Sequence, residues 1–288
     1  MLVTVVTPTY NRAASVCAAV DSALAQTHAD IELIVVDDGS TDDTAARLAA
    51  YDDPRLVCLA QENRGQSAAR NRAIAQARGE LVAFLDSDDR WPTTKLEEQV
   101  AIMVTQPQVD VLFGDRVDVR DDGQVQHRLG LREYPVNMLI ELLFSNVVNF
   151  NSSMVRAHVL RSHPFDESLR TGEDYDLWLR IAQDALFLYQ PRTWLFYSVA
   201  DGRLSQHYED VFENNRVSMQ RLMQGPSARV PTGVQRSIWC RFYSRYGRHH
   251  AAAGKRMAAA RCFSQAIAYA PLSTIGWRAM VALLVGRI

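Results

Sequence analysis

The stretch "IELIVVDDGSTDDT", residues 31–44, is an almost unbroken apolar run that ends abruptly in acidic and turn-forming residues. The apolar run is "IELIVV" (31–36), six residues with a single charge, Glu32. Such a run is typical of a strand in a parallel sheet that helices cover on both faces. Gly39 and Ser40 favour a turn, and Ser40 or Thr41 can accept hydrogen bonds from the free N–H groups of a helix. The stretch therefore predicts a buried central strand, a polar loop at its carboxyl end and a helix after the loop.

The same alternation extends over residues 1–90 on both sides of this stretch. Short apolar runs predict strands, and segments whose apolar residues recur at helical spacing predict the helices between them. Alternation of this kind is typical of βαβ units, so we expect an α/β fold with a mixed, mainly parallel sheet flanked by helices. The predicted strands are "LVTVV" (2–6), "RLVCL" (55–59) and "ELVAFL" (80–85), and the helices lie within 13–27 and 65–77.

The pattern changes after residue 90. Residues 109–129 resemble two extended segments around an Asp122-Gly123 turn, and such a hairpin implies mixed strand direction. A Gly- and Pro-containing stretch near 225–233 indicates a linker into a C-terminal helical region. We therefore expect one domain over 1–205, with halves of about 1–90 and 91–205, and a helical region over 206–288.

The C-terminal region contains a pattern that resembles one tetratricopeptide repeat over about 240–273. A plain helical hairpin rich in alanine is the alternative. A single repeat cannot bury its own face, so we expect it to pack on the preceding domain or on a protein partner. The last segment, 276–288, is too short and too basic to span a membrane, and it either packs as a terminal helix or lies on a membrane surface. The residues of the repeat pattern are Tyr243, Gly247, Gly254, Ala259, Phe263, Ala266 and Pro271.

Composition excludes several classes of protein. The net charge is −2, from 31 basic and 33 acidic residues, so no global field favours nucleic acid or an acidic membrane, and we expect no nucleic-acid partner. The 4 cysteines form no C-x-x-C pair, which argues against a zinc site or a disulfide framework. With no signal-peptide pattern at the N-terminus and no long apolar run, we expect a cytoplasmic protein that is at most peripheral to a membrane.

Three predicted strands end in polar loops, "TPTYN" (7–11), "DDGSTD" (37–42) and "DSDD" (86–89). In an open parallel sheet the ligand crevice lies beyond the carboxyl ends of the strands. We therefore expect the three loops to converge on one site.

Asp86 and Asp88 form a D-x-D pair at the end of a buried strand. If the strand stays extended through them, their side chains point the same way, about 7 Å apart. A divalent cation would relieve their repulsion. Mg²⁺ or Mn²⁺ typically uses one or two carboxylates and fills its other sites with water and phosphate oxygens, which implies a diphosphate ligand. A solvated acidic loop is the alternative, because D-x-D alone is a weak signal.

The other two loops contain groups suited to a nucleotide base. One carboxylate of Asp37-Asp38 can cap its turn while the other accepts N–H donors from a base. Tyr10 can stack on a heterocycle, or it can pack on the next helix as a rim aromatic.

Arginines in the segment that follows can neutralise a phosphate. Arg64 and Arg70 are the candidates. Arg72 and Arg78 accompany them on the same predicted helix, so an ordinary solvated face is the alternative.

Five segments, in this order, give the chain a family resemblance. The segments are "VTPTYNR" (6–12), "ELIVVDDGSTDDT" (32–44), "QENRGQSAARNRAIAQARGELVAFLDSDDRW" (61–91), "FNSSMVRAHVL" (150–160) and "FDESLRTGEDYDLWLRIA" (165–182). With them the chain resembles the family-2 inverting glycosyltransferases with the GT-A fold, and the resemblance covers about residues 1–205. It implies a Rossmann-like sheet and transfer of a sugar from a nucleotide-diphosphate donor, most often a UDP-sugar, to a hydroxyl acceptor, with bound Mn²⁺ or Mg²⁺.

The resemblance also implies roles for single residues. Asp88 matches the principal metal ligand, and Asp86 matches a position near the donor ribose and the metal. Asp38 matches the carboxylate that holds the nucleobase. Arg70 matches a residue near the donor. The base-packing loop is matched by Pro8 and Tyr10.

Asp174, in "TGEDYD", matches the catalytic base. Inversion in one in-line displacement needs one base and no covalent nucleophile, and a metal can stabilise the phosphate leaving group. The start of a helix would keep Asp174 ionised, while Glu173 can bond the acceptor or cap the helix. A purely structural N-cap is the alternative for either residue. Arg203 and His207 match a loop over the donor diphosphate, with His207 a candidate metal ligand.

Two other functions remain as alternatives. A sugar-nucleotide pyrophosphorylase would open with a glycine-rich loop, whereas "VVTPTYNRAAS" contains no glycine. A noncatalytic sugar-nucleotide-binding module would not need both Asp88 and Asp174. Processive synthases of the family carry Q-x-x-R-W, and "VQRSIWCR" (234–241) is different. We therefore expect a nonprocessive hexosyltransferase of glycan or polysaccharide biosynthesis, with a glycan, a lipid-linked or a small-molecule acceptor.

Overall fold

The computed structural model describes residues 1–120, 124–129, 137–199, 208–225 and 230–286, with the backbone alone for 126–129. Its strands form one sheet of order β3-β2-β1-β4-β7-β5-β6, in which β8 also pairs with β5. The strands are β1 Val3–Thr9, β2 Ile31–Asp37, β3 Leu56–Ala60, β4 Leu81–Phe84, β5 Val111–Val119, β6 Val125–Leu129, β7 Met154–Arg156 and β8 Phe187–Ser198.

Helices follow or flank most of these strands. The helices are α1 Val16–Leu24, α2 Thr44–Ala49, α3 Gln66–Gln76, α4 Lys95–Thr105, α5 Met138–Phe144, α6 Ala157–Ser162, α7 Glu173–Ile181, α8 Tyr208–Gln224, α9 Thr232–Ala252, α10 Arg256–Tyr269 and α11 Thr274–Leu284. None of those in the described residues is both long enough and apolar enough to cross a membrane.

The sheet is mixed, as the sequence predicts. Strands β1 to β4 are parallel, and β5 pairs in parallel with β8. Strand β7 runs antiparallel to β4 and β5, and β6 runs antiparallel to β5. The predicted strand pair after residue 109 is therefore confirmed, while its Asp122-Gly123 turn lies outside the described residues.

The centre of the sheet is buried on both faces. Every residue of β1 and β2 is buried, and Val16, Ala19 and Val20 of α1 pack with Val3 and Val5 in one apolar core. Burying each valine contributes roughly 1.5–3 kcal/mol, so this core stabilises the centre of the sheet.

The single charge in the β2 run is also buried. Glu32 accepts hydrogen bonds from the Thr4 hydroxyl, the Arg78 guanidinium and the Gly79 N–H. Burial alone would raise the pKa of Glu32, but these donors lower it below its ordinary value. A charged residue is tolerated in the strand because its partners come with the neighbouring strand and the end of α3.

The chain divides into two compact units. The first comprises Met1–Met138 and Val147–Leu204, and the second comprises Leu139–Asn146 and Ser205–Ile288. Within the second unit, Gly247 of α9 lies so close to the Phe263 ring of α10 that an added Cβ would be 2.3 Å from a ring carbon. Gly254 adopts a φ of +73° between these two helices. Three residues of the repeat-like pattern, Gly247, Gly254 and Phe263, therefore lie at the α9–α10 contact and at its turn.

Candidate active site

The carboxyl ends of β1, β2 and β4 lie together at one edge of the sheet. The Asp38 N–H donates to the Thr9 carbonyl at 2.8 Å, and the Leu85 N–H donates to the Val6 carbonyl at 3.1 Å. The strand order reverses between β1 and β4, because β2 and β3 lie on one side of β1 and β4 lies on the other. The predicted convergence of the three loops is confirmed, and it falls at the point where open α/β sheets bind ligands.

The loop after β1 is fixed to the loop after β2. Asn11, the one non-glycine residue with positive φ (51°) in the described chain, accepts from the Thr41 N–H at 2.8 Å. Its own N–H donates to the Ser40 hydroxyl at 2.9 Å. Pro8 is buried in β1, whereas Tyr10 is 45% exposed at the loop. The Tyr10 ring is therefore presented to solvent and can stack on a flat ligand.

Asp37 and Asp38 have different partners. Asp37 accepts from the Ser40 N–H at 2.9 Å and so caps its turn, as expected for one of the pair. Asp38 is 3% exposed and accepts from Gln61 at 2.7 Å, from the Arg64 N–H at 2.9 Å and from the Gly65 N–H at 2.7 Å. Asp38 therefore holds the segment that leads into α3.

Arg70 lies in the second turn of α3 and is only 2% exposed. It donates from Nη1 to Glu173 at 2.7 Å and from Nη2 to Asp86 at 2.8 Å. Its guanidinium also lies over the Phe150 ring, 4.6 Å from the centroid, and 5.5 Å from that of Phe165. The solvated-face alternative is wrong for this residue, because Arg70 points into the protein and joins two carboxylates.

Glu173 is buried at the start of α7. Burial raises the pKa of Glu173 to about 7, while Arg70 opposes the rise and the negative charge of Asp174 adds to it. Gln66 donates a second hydrogen bond to the same carboxylate oxygen at 2.7 Å. Burial disfavours the charge of Arg70, but Asp86 and Glu173 keep the pKa of Arg70 above its ordinary value.

Asp86 and Asp88 do not continue a strand. β4 ends at Phe84, and the Asp89 N–H donates to the Asp86 carbonyl at 3.0 Å, which closes a turn. The strand therefore does not stay extended through Asp86 and Asp88, and the spacing of about 7 Å expected for an extended pair does not apply. Arg12 lies 3.7 Å from the Asp88 carboxylate. The chain thus leaves the sheet after β4, and the turn places both carboxylates on a tight loop beside β1.

Asp89 has a structural position in this loop. It is fully buried and accepts from Asn151 at 2.7 Å and from the Ser198 N–H at 3.1 Å. Asn151 also donates to Asp86 at 2.9 Å. One amide thus holds two of the three aspartates together.

The carboxylates fit a Mg²⁺ or Mn²⁺ ion. The side chains of Asp86 and Asp88 keep 32% and 19% of their surface exposed, and both offer hard oxygen ligands. Within the part of the chain that the structure describes, no three His, Cys, Asp or Glu residues form a ready metal cluster. A donor set of one or two carboxylates suits a cation that takes its other ligands from water and phosphate oxygens. Arg203 and His207, the other candidates, lie outside the described residues.

Asp174 is the second residue of α7 and is half-buried. The N-cap is Gly172, with a φ of 70° and no side-chain cap bond, so neither Glu173 nor Asp174 occupies the N-cap position. Glu173, Asp174 and Asp176 all lie in the first turn, where the helix dipole favours negative charge.

Sequence reasoning missed two contributors to this site. Asn151 lies inside the quoted "FNSSM" segment, but no spacing rule indicates that its amide reaches Asp86 and Asp89. The link from Arg70 to Glu173 spans 103 positions and follows from the packing of α3 against the start of α7.

The sequence of the chain is similar to those of known glycosyltransferases. The profile of Glycosyl transferase family 2 matches residues 4–159. An Escherichia coli UDP-Glc:alpha-D-GlcNAc-diphosphoundecaprenol beta-1,3-glucosyltransferase, WfgD, is 32% identical over 186 residues, which are 64% of this chain and 70% of the relative. A second E. coli enzyme of the same description, WfaP, is 42% identical over 185 residues, covering 62% and 70%.

A solved structure has the same fold. The chain matches an S. aureus TarS fragment in complex with UDP-GlcNAc with a TM-score of 0.71 and 20% identity, over 99% of this chain and 92% of that one. It spans about half of a longer TarS structure, covering 50% of that chain with a TM-score of 0.67. The predicted GT-A fold is thereby confirmed.

Proposed function

Given that the chain belongs to glycosyl transferase family 2, we propose that it is an inverting, metal-dependent hexosyltransferase of glycan biosynthesis. It transfers a sugar from a UDP-sugar donor to one hydroxyl of its acceptor and then releases the product. The description of the two E. coli relatives supports a UDP-sugar donor and a lipid-linked acceptor.

The observation that carries the proposal is the contact of Arg70 with both Asp86 and Glu173 at the switch point of the sheet. Asp86 follows β4, and Glu173 precedes the proposed base. A single buried guanidinium therefore fixes the loop assigned to the donor and the helix assigned to the acceptor in one arrangement.

We assign the donor to the edge formed by the loops after β1, β2 and β4. Tyr10 packs against the base, Pro8 lies buried in the strand that leads to Tyr10, and the loop held by Asp38 lies beside the base. Asp88, with Asp86, would hold Mn²⁺ or Mg²⁺, and Arg203 and His207 belong to the proposed diphosphate loop. When bound, the cation supplies positive charge that stabilises the departing diphosphate.

We assign the proton transfer to Asp174. Its carboxylate accepts the proton of the acceptor hydroxyl as that oxygen attacks the anomeric carbon from the face opposite the leaving group. The bond from the anomeric carbon to the phosphate oxygen breaks, and its electron pair leaves with the nucleoside diphosphate. Glu173, neutral for part of the time near pH 7, places less negative charge beside Asp174 than a fully ionised glutamate would.

A reducing compartment such as the cytoplasm is the proposed location. Cys17, Cys58, Cys240 and Cys262 are all free thiols. Four free thiols and a UDP-sugar donor are both compatible with a reducing cytoplasm.

The proposal is tested by Asp174→Asn, with Asp176→Asn as the matched control. Asp176 lies two positions further along α7, where its carboxylate already pairs with Arg180 at 2.8 Å. With Mn²⁺ and either UDP-glucose or UDP-GlcNAc, calorimetry should show donor binding to both variants. The rate of transfer to a GlcNAc-diphosphate lipid, measured by the release of UDP, should fall by roughly 10²–10⁴-fold in Asp174→Asn alone.

Three results would contradict parts of this proposal. Normal turnover by Asp174→Asn would remove the base assignment. Donor binding by the wild type with no transfer or hydrolysis would favour the noncatalytic binding module. Formation of a UDP-sugar from UTP and a sugar 1-phosphate would favour the pyrophosphorylase.

A further inference from the structure

Basic residues are concentrated at one end of the chain. Residues 214–288 contain 12 Lys or Arg and no Asp or Glu, so residues 1–213 hold the other 19 of the 31 basic residues and all 33 acidic ones. The whole-chain net charge of −2 conceals this separation. The weak overall charge therefore excludes no anionic partner for the C-terminal segment.

Helix α11 has two apolar faces. Its inner residues, Gly276, Ala279 and Leu283, are buried, and a Cβ at Gly276 would lie 2.9 Å from Ile267 of α10. Its outer face carries large apolar side chains at spacings of four and three, which place them on one side of the helix. The outer residues are Trp277 (51% exposed), Val281 (54%) and Leu284 (73%), followed by Val285 (61%).

This outer surface combines apolar and cationic groups. Leu272, in the turn before α11, is 99% exposed, and Arg278 lines the same groove as Trp277 and Val281. Arg256, at the start of α10, donates to the Leu283 carbonyl at the other end of α11. Further exposed basic residues of the same unit are Arg236, Arg241, Arg248, Lys255 and Arg261.

We propose that the outer face of α11, with Leu272 and Arg278, docks on an anionic phospholipid bilayer. Exposed Trp, Leu and Val beside arginine are the side chains that enter the interface of such a bilayer, where headgroup phosphates pair with the cations. A bilayer offers an apolar layer and negative charge together.

Other occupants satisfy only part of this chemistry. A second copy of the chain would cover the apolar face, but it would bring two basic segments without acidic residues against each other. A nucleic acid would neutralise the arginines and leave Leu272 and Leu284 in water, since phosphate contacts require no apolar surface.

The test uses the full chain and sedimenting vesicles without donor or acceptor, so its result is independent of the proposed activity. We expect binding to vesicles with roughly a third phosphatidylglycerol, little binding to pure phosphatidylcholine, and a strong decrease in high salt. Trp277→Gln with Val281→Gln should lower the partition coefficient by roughly tenfold or more. Arg278→Glu should lower it by roughly tenfold.

Matched controls come from the first unit. Val104 of α4 is 55% exposed, like Val281, so Val104→Gln should leave vesicle binding unchanged. Arg47→Glu removes an exposed arginine of α2 and should have an effect below roughly twofold. Circular dichroism and melting curves check that the variants, all at exposed positions, remain folded.

Four results would overturn the proposal. These are equal binding to neutral and anionic vesicles, unchanged binding of the Trp277→Gln, Val281→Gln protein, a wild-type dimer in light scattering that this variant disperses, and tight duplex DNA binding that only Arg278→Glu weakens. The third would identify a second copy as the occupant, and the fourth a nucleic acid.

Discussion

Arg70 and Glu173 form an ion pair of 2.7 Å although both are buried and 103 positions separate them in the sequence. The same guanidinium reaches Asp86 with its other terminal nitrogen at 2.8 Å. A buried charge pair gives little net stability against a well-packed apolar replacement, but removal of one partner is costly. Arg70 therefore contributes chiefly by fixing where the two carboxylates lie.

Arg70→Met should lower the free energy of unfolding by about 3–5 kcal/mol, because Glu173 would remain buried without its cation. Urea unfolding measures this change. Arg78→Met is the control: Arg78 is 74% exposed, and its partner Glu32 keeps the Thr4 hydroxyl and the Gly79 N–H as donors. Its cost should be below about 1 kcal/mol. Equal losses in the two variants would contradict the role given to Arg70.

Glu173→Gln should change how stability depends on pH. Because the pKa of Glu173 lies at about 7 in the folded protein, against an ordinary value of 4.5, the folded state holds a proton that the unfolded chain releases. The stability contribution of Glu173 is thus fully present below pH 4.5 and decreases as pH rises to about 7. As pH rises across this range, the unfolding free energy of Glu173→Gln, measured by urea titration, should therefore increase relative to that of the wild type.

The opposite sign is expected for a control glutamate. Burial raises the pKa of Glu98, but bonds from Trp194, Thr94 and Arg192 lower it below its ordinary value overall. Its contribution is lost as pH falls, so Glu98→Gln should become relatively less stable as pH rises. Parallel pH profiles for wild type and Glu173→Gln would contradict the assigned pKa.

Most of the first half of the fold could be predicted because its signals are local. An apolar run of strand length and a turn with Gly39 each depend on neighbouring residues, so β1, β2 and β4 and the helices between them follow from pattern alone. The cap expected from Ser40 or Thr41 is wrong, because α2 begins only at Thr44, after an N-cap without a side-chain bond, and Ser40 accepts from the Asn11 N–H instead. The turn at Ser87 could not be predicted, since the apolar run and the acidic residues contain no glycine or proline to mark the end of β4.

The side-chain contacts of the site depend on tertiary packing. D-x-D and the acidic start of α7 are visible in the sequence, but the amide of Asn151 and the guanidinium of Arg70 reach their carboxylates only after distant segments pack. Likewise, counting charges over the whole chain hides the separation between residues 1–213 and 214–288.

Asp88→Asn should separate metal binding from stability. Asp88 is partly exposed on the loop, so its loss should leave the unfolding free energy within about 1 kcal/mol of wild type. Calorimetry of UDP binding should show that Mn²⁺ no longer increases the affinity for UDP in this variant.

Asp89→Asn is the contrasting variant, because Asp89 is fully buried and accepts from Asn151 and the Ser198 N–H. It should cost roughly 1–3 kcal/mol of stability. Retained Mn²⁺ dependence in Asp88→Asn would remove the ligand assignment.

Asp38→Asn should destabilise the protein even before any nucleotide is added. An amide cannot accept from Gln61, Arg64 and Gly65 with both of its polar atoms, so at least one partly buried N–H loses its partner at a cost of roughly 1–3 kcal/mol. Asp37→Asn is the neighbouring control, because one amide oxygen suffices to accept from the Ser40 N–H. Thermal unfolding without ligand compares them. If only UDP affinity changed in Asp38→Asn, the carboxylate would serve the base and not the loop.

Gly247→Ala should destabilise the second unit, because the new methyl group would lie 2.3 Å from a Phe263 ring carbon and force α9 away from α10. Overpacking of this kind costs roughly 1–3 kcal/mol. Gly233→Ala, in the first turn of the same helix, has nothing within 4 Å of the added Cβ and should be neutral or stabilising. Guanidinium unfolding followed by circular dichroism measures both. Equal stability of the two variants would mean that α9 and α10 do not pack at Gly247, and the repeat-like spacing would then have no structural basis.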